Sequence, residues 1–193
     1  MPQSTRKRPP RQPPKPPRPL TPARLEELAL AYAARFAVSA AKLADYLRRK
    51  LRTSGWEGDA EAPVDAIVAR FVAAGYVDDA AYARAKSASM LRRGFGMRRV
   101  AQAWHAAGIA EEDRESARAG EGVQRRAAVA LARKRRFGPF GTEQPGRATR
   151  EKQIAAMLRA GHPLDSAREL VDATSVAAAE EWAAQADGDD ACD

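Results

Sequence analysis

Cysteine is almost absent from this chain of 193 residues, which carries 1 Cys, Cys192, close to its carboxyl end. One thiol forms no disulfide within the chain and builds no cysteine-rich zinc site. Its neighbours are acidic, a setting that disfavours a reactive thiolate. Disulfide-stabilised folds and thiol chemistry are therefore excluded, and the composition predicts a reducing, cytoplasmic environment.

Long apolar runs are also missing. No stretch approaches the ~18 consecutive apolar residues that cross a bilayer. The first residues carry basic side chains with no apolar segment after them, so the sequence offers no secretory signal. We expect a soluble protein that has no membrane partner.

Strand-forming residues are scarce beside alanine: the chain has 10 Val and 3 Ile against 44 Ala. Alanine loses almost no side-chain entropy in a helix, whereas β-branched residues favour strands. The composition therefore predicts an all-α fold.

Residues in catalytic or metal-binding patterns are few. The two histidines, His105 and His162, have neither zinc-ligand spacing nor a cysteine or carboxylate cluster beside them. The chain contains no Walker sequence, and the glycines of "RRGFGMRR" follow no predicted strand, as a dinucleotide-binding turn requires. We expect no enzymatic activity, no metal and no cofactor.

Charge divides the chain into a folded part and two arms. Residues 1–19 hold six Lys or Arg, eight Pro and no acid, and the end reads "DGDDACD". Such segments bury no core, so we predict a disordered basic arm at 1–19 and a disordered acidic tail. The remainder is still basic, which favours a polyanion or an acidic protein surface as partner.

Helix signals recur with a period of about 50 residues. Thr21 and Ser39 are good N-caps for the first two helices, and Gly75 ends the third. The second helices align on Gly55, Gly108 and Gly161, each 53 residues from the next. This alignment gives Gly96 and Thr149 the capping position that Ser39 holds in the first unit.

The period predicts three tandem three-helix modules that form an elongated, curved array. The predicted boundaries are 20–77, 78–119 and 120–174, followed at 175–193 by a helix remnant and the acidic tail. Between the first two modules, "VDDAAYARA" places Asp78 and Asp79 at the start of a helix. Either carboxylate suits the first free N–H groups there, so we interpret the pair as a seam between modules and not as a metal site.

Basic clusters are the best candidates for a binding surface. The residues concerned are Arg92, Arg93, Arg98, Arg99, Arg133, Lys134, Arg135 and Arg136. Cations near a helix C-terminus also have a purely structural use, because they stabilise the terminal carbonyls. Arg98 and Arg99, however, fall in a predicted first turn, where positive charge is unfavourable. This mismatch favours a binding role for that turn.

The stretch "AGYVDDAAYARAKSASMLRRGFGMRRVAQAWHAAGI" resembles the RecX family of recombinase regulators, and the resemblance extends over roughly 25–174. It implies a non-enzymatic cytoplasmic protein of three modules. It also implies binding along the RecA filament assembled on single-stranded DNA. The expected effect is modulation, usually inhibition, of the filament's ATPase, recombinase and co-protease activities in DNA repair and the SOS response. An elongated array of this kind is expected to act as a monomer, with possible contact to the single strand.

Two alternatives remain open, a general helical scaffold and direct DNA binding by a helix-turn-helix-like unit. For the second, the candidate recognition helix reads "AEEDRESARA", which holds four acids and two arginines. A negative helix fits a phosphate-lined groove badly. The composition of this helix therefore disfavours base reading.

Overall fold

The computed structural model describes residues 18–189, with side chains to 186. Within that part the chain forms ten α-helices, one 3-10 turn at Gly138–Phe140 and no β-strand, which confirms the predicted all-α fold. The α-helices are α1 (Pro22–Arg35), α2 (Ala40–Ser54), α3 (Val64–Ala73), α4 (Asp79–Arg92), α5 (Met97–His105), α6 (Glu111–Ser116), α7 (Glu121–Arg135), α8 (Arg147–Ala160), α9 (Leu164–Asp172) and α10 (Val176–Asp189). The predicted disorder at 1–17 and 190–193 concerns segments outside the described residues.

Side-chain caps start several helices as predicted. Thr21 Oγ1 accepts a hydrogen bond from Arg24 N at 3.2 Å, and Ser39 Oγ accepts one from Lys42 N at 3.3 Å. Because a cap acts within one helical turn, it can be predicted from local sequence alone.

The predicted cap at Thr149 is wrong. Helix α8 starts after Gly146, so Thr149 lies inside its first turn. The alignment on terminal glycines assumed second helices of similar length, whereas α5 has 9 residues and α8 has 14. Gly96, by contrast, does precede α5.

Three hydrophobic clusters follow one another along the chain. The first joins α1, α2 and α3 around Leu25, Leu43 and Ile67, and the second joins α4 to α5 around Trp104. The third cluster contains residues of α7, α8, α9 and α10 and lies around Met157. Each amphipathic helix thus buries its apolar stripe against near neighbours in sequence. The exact module boundaries remain a prediction.

The segment before α1 is held against the end of α2. Leu20 N donates to Gly55 O at 3.0 Å, and Glu57 N donates to Leu20 O at 3.1 Å, so that Leu20 and Trp56 form an isolated β-bridge. The Leu20 side chain is buried in the first cluster. These contacts stabilise the C-terminal end of α2.

The segment after residue 174 was predicted to hold a helix remnant and the acidic tail. It contains α10, a helix of 14 residues that packs on α7. Ala179 and Ala183 are buried in the third cluster, and the Arg125 guanidinium lies 4.9 Å from the centre of the Trp182 ring. Its alanines at a spacing of four form an apolar face that buries against α7.

We expect Ser87→Ala to raise the free energy of unfolding by about 1 kcal/mol. Ser87 is 3 % exposed, and its hydroxyl has no hydrogen-bond partner among the described residues. Urea denaturation measures the change, with the half-buried Ser89→Ala on the same helix as the control for helix propensity. Equal gains in the two variants would contradict the assignment of the effect to the unpaired hydroxyl.

Candidate partner-binding site

The N-terminus of α5 meets the C-terminus of α8 end to end. Gly96 N donates to Ala160 O at 2.9 Å, and Arg98 N donates to Gly161 O at 3.3 Å. The first free N–H groups of one helix thus satisfy the last free carbonyls of another, and their opposite partial charges lie together. We call this contact the second seam, because it follows along the chain the seam between α2 and α5 that is described below as the first.

Two glycines make the second seam possible. A Cβ on Gly96 would lie 2.3 Å from Gly161 O, and a Cβ on Gly161 would lie 2.6 Å from Arg99 N. Gly161 also has φ +98, in the left-handed region that favours glycine. The close approach of the two backbones therefore requires that both residues lack a side chain.

His162 follows this seam and is 1 % exposed. Its Nε2 lies 3.0 Å from Gly94 O, to which the neutral ring donates. Burial is the main influence on the imidazole and lowers its pKa below the ordinary range, while the hydrogen bond to Gly94 acts in the opposite direction. The ring is therefore neutral at neutral pH in the folded protein, and it joins α8 to the turn between α4 and α5.

We expect stability to fall as the pH drops below about 6.5, because the unfolded chain binds a proton at His162 there while the folded chain does not. The loss continues until the pH reaches the lowered pKa of the folded state, with a slope of at most about 1.4 kcal/mol per pH unit. Urea denaturation between pH 7.5 and 5 measures it. His162→Gln keeps a donor and does not titrate, so it should remove this slope. An unchanged slope in that variant would count against His162.

The first seam repeats the arrangement between α2 and α5. Ser39 Oγ donates to Ala107 O at 2.6 Å, and Asp79 Oδ1 accepts from Ala40 N at 2.8 Å. A Cβ on Gly108 would lie 2.5 Å from Ala41 Cβ. The end of α5 thus meets the start of α2, as the end of α8 meets the start of α5.

The two aspartates of the first seam have different partners. Asp78 Oδ1 accepts from Ala81 N at 2.8 Å and caps α4, as predicted. Asp79 instead reaches the N-terminus of α2, and its partial burial, the largest influence, raises the pKa of its carboxyl. The sequence placed both residues at a seam but did not reveal that Asp79 bridges it.

A basic cleft of about 330 Å³ opens beside the second seam. It lies where the turn between α4 and α5 faces the ends of α7 and α8. Its cationic lining residues are Arg93, Arg99, Lys134, Arg135 and Arg159, and its aromatic ones are Phe95 and Phe137. Four of these cations belong to the predicted set. The structure adds Arg159, which lies two residues before Gly161.

The five cations of the cleft are exposed, and none pairs with a carboxylate within residues 18–186. Arg93 lies 5.2 Å from the centre of the Phe95 ring, and Arg99 Nη1 donates to Gln102 Oε1 at 3.0 Å. Like charges held together without counter-charges raise the local positive potential. The cleft therefore suits an anionic partner.

The other predicted cations lie elsewhere. Arg92 lines a shallow groove against α7, and Arg98 lines a separate cleft with Trp104. Arg133 pairs with Glu180 of α10, and Arg136 ends α7 in the left-handed conformation with φ +57. The structure thus divides the predicted set among several surfaces, and a binding role for each residue remains a prediction.

The second seam also gives a structural explanation for cations in the first turn of α5. Carbonyls of α8 lie against the amides of that turn, so the positive end of α5 is partly compensated. The electrostatic mismatch noted for Arg98 and Arg99 is therefore smaller than it is at a free helix end. It no longer supports a binding role by itself.

Metal and membrane features are absent from the described part of the chain. Within it, no group of three or more His, Cys, Asp or Glu side chains is arranged to hold a metal ion. No helix in the same part has the length and apolar character needed to span a membrane.

Comparison with known proteins gives consistent relatives. No family model matches the chain. The chain is 36% identical over 163 residues to the regulatory protein RecX of Myxococcus xanthus. The match covers 79% of this chain and 87% of that protein. The crystal structure of RecX from Lactobacillus salivarius matches with a TM-score of 0.61 at 19% identity, over 78% of this chain and 96% of that one. A second crystal structure of a regulatory protein RecX matches with a TM-score of 0.59 at 22% identity, over 78% and 72% of the two chains.

Proposed function

The chain belongs to the RecX family of regulatory proteins, and from this membership we propose that it binds the filament that the RecA recombinase forms on single-stranded DNA. It inhibits the ATPase, recombinase and co-protease activities of that filament during DNA repair. It works by binding and not by catalysis, as a monomer in the cytoplasm.

The basic cleft beside the second seam is the observation that supports this proposal. Its five exposed cations have no carboxylate partner within residues 18–186. A recombinase filament presents acidic side chains and the phosphates of its bound strand, and guanidinium groups form strong charge-assisted hydrogen bonds to both. We place the main contact in this cleft.

The seams add a mechanical element to the proposal. Backbone hydrogen bonds join α8 to α5, and side-chain hydrogen bonds of Ser39 and Asp79 join α5 to α2, so we expect a fixed spacing between successive predicted modules. A helical filament repeats its surface at a fixed interval, so a rigid chain with several contacts gains avidity over any single contact. Bridging neighbouring protomers in this way would hinder the rearrangements that accompany ATP hydrolysis.

Direct base reading by α6 has little support. The helix has only 6 residues, and its first turn holds Glu111, Glu112 and Asp113. Recognition helices carry donors towards base edges and tolerate nearby phosphates, and this helix does neither. A footprint on duplex DNA in the absence of recombinase would restore that alternative.

ATP hydrolysis by RecA on saturating single-stranded DNA tests the proposal. Titration with this protein should lower the rate at substoichiometric ratios to recombinase, because a filament-bound inhibitor affects many protomers at once. Inhibition only near one inhibitor per recombinase would indicate sequestration of free RecA. No inhibition at any ratio would overturn the proposed function.

A further inference from the structure

Three aromatic rings form a continuous ladder on the surface of α1 and α2. Tyr32 and Tyr46 stack with their ring centres 4.0 Å apart and an interplanar angle of 3°. Phe36, just after α1, extends the series at 5.4 Å from Tyr32. Phe36 is 50% exposed, while the two tyrosines are half-buried. We call Tyr46, Tyr32 and Phe36 the aromatic ladder.

Three cations lie over the two ends of the aromatic ladder. Arg49 and Lys50 lie 5.7 Å and 5.5 Å from the centre of the Tyr46 ring, and Arg35 lies 5.4 Å from that of Phe36. None of these three pairs with a carboxylate in the part of the chain whose side chains are described. Their charge is therefore available to an external anion.

Three other cations on α1, α2 and α3 differ in this respect. They are paired with acids: Arg24 with Glu27, Arg48 with Asp65 and Arg70 with Glu26. Acids are thus close to α1 and α2, yet they neutralise only the cations away from the rings. The three cations beside the aromatic ladder therefore form, with its rings, one surface that combines unpaired positive charge with aromatic side chains.

We propose that the aromatic ladder and its three cations bind single-stranded nucleic acid. Phosphates would lie on Arg35, Arg49 and Lys50, and a base would stack on the exposed ring of Phe36. Cations that follow a backbone, together with aromatic rings for the bases, are the combination used for single strands of any sequence. An acidic peptide would satisfy the cations but would leave Phe36 without a stacking partner.

This site is separate from the basic cleft and lies on different helices. It goes beyond the proposed function, because it requires no recombinase and concerns the strand itself. The tyrosines also join α1 to α2 within the first hydrophobic cluster, so a test must leave them in place. Phe36 and the three cations are the residues to change.

Fluorescence anisotropy with a labelled 20-nucleotide oligothymidylate, without recombinase, measures binding by the full chain. In the Arg35→Ala, Arg49→Ala, Lys50→Ala triple variant we expect affinity to fall about tenfold or more. The slope of log affinity against log salt should shrink by about 2, since each phosphate contact on a single strand contributes roughly 0.7. Circular dichroism confirms that the variant remains helical.

The matched control, which we call the paired-arginine variant, is Arg24→Ala, Arg48→Ala, Arg70→Ala. It removes the same net charge from α1, α2 and the adjacent α3, but at positions already neutralised by acids. Its affinity and salt slope should remain close to those of the unchanged protein. Equal losses in the two triple variants would mean that net charge alone attracts the strand, and this would overturn the proposed site.

Phe36→Leu tests stacking separately from charge. The substitution keeps an apolar residue and removes the ring, so we expect about tenfold weaker binding to oligothymidylate. An abasic strand of equal length should bind the unchanged protein more weakly than oligothymidylate, and Phe36→Leu should abolish that difference. A difference that persists would overturn the stacking role. Since RecA is absent from these measurements, their failure would leave filament inhibition to be judged by its own assay.

Discussion

Gly161→Ala should lower the free energy of unfolding by about 3 kcal/mol or more, and the melting temperature by roughly 6–12 °C. Its φ of +98 is costly for any residue with a side chain, by about 1–2 kcal/mol. The new methyl would also lie 2.6 Å from the amide nitrogen of Arg99. Because that neighbour is backbone, it cannot turn aside, and the second seam must open. Thermal unfolding followed by circular dichroism measures the loss.

Substitutions at two other glycines measure separately the two causes of this loss, the left-handed backbone conformation and the close approach of two backbones. Gly75 has φ +73 but open space around a Cβ, so Gly75→Ala reports the conformational cost alone. Gly96 has φ −85 and a Cβ position 2.3 Å from Gly161 O, so Gly96→Ala reports the close approach alone. We expect Gly96→Ala to exceed Gly75→Ala in cost and Gly161→Ala to exceed both. If Gly161→Ala cost no more than Gly75→Ala, the second seam would not be a tight contact.

The second large effect concerns the basic cleft. The Lys134→Ala, Arg135→Ala, Arg159→Ala triple variant should need about 100-fold more protein for half-inhibition of the RecA ATPase, at ~1 kcal/mol or more for each lost charge-assisted contact. Arg99 is left unchanged because its side chain lies beside Gly161, where substitution would disturb the second seam. The melting temperature of the triple variant should remain unchanged, since all three side chains are exposed.

The paired-arginine variant is the control here as well, because it lowers the net charge equally while leaving the cleft intact. It should inhibit like the unchanged protein. If the cleft variant kept its inhibition, the filament contact would lie elsewhere, and Arg92 and Arg98, which line other surfaces, would be the next candidates. If both variants lost inhibition equally, long-range attraction and not the cleft would explain the effect.

Local features were predictable from the sequence because their causes act within one helical turn. Thr21 and Ser39 were placed correctly as caps, and Asp78 is one of the two candidates given for α4, since a cap depends on the next three residues. The alanine excess fixed the helical class for a similar reason: helix propensity belongs to each residue and sums along the chain.

Features that depend on contacts between distant segments were not predictable. Arg159 looks like any cation near a helix end, and only the second seam brings it beside Arg93 and Arg99. Asp79 resembles a second cap until the start of α2 lies against it, with Ala40 39 residues away in sequence. Arg133 has the same local setting as Arg135, yet α10 supplies Glu180 to Arg133, whereas Arg135 has no carboxylate partner among the side chains described to residue 186. Charge along the sequence shows where cations are, whereas their availability depends on tertiary pairing.

The bond from Leu20 N to Gly55 O has a consequence for self-assembly. At the second seam the same kind of bond, from Arg98 N to Gly161 O, receives the start of one helix onto the end of another. Leu20 thus already occupies the carbonyl at the C-terminal end of α2. A head-to-tail chain of molecules needs a free acceptor end as well as a free donor end. The start of a helix from a second copy would therefore have to displace Leu20 before it could form a seam with α2.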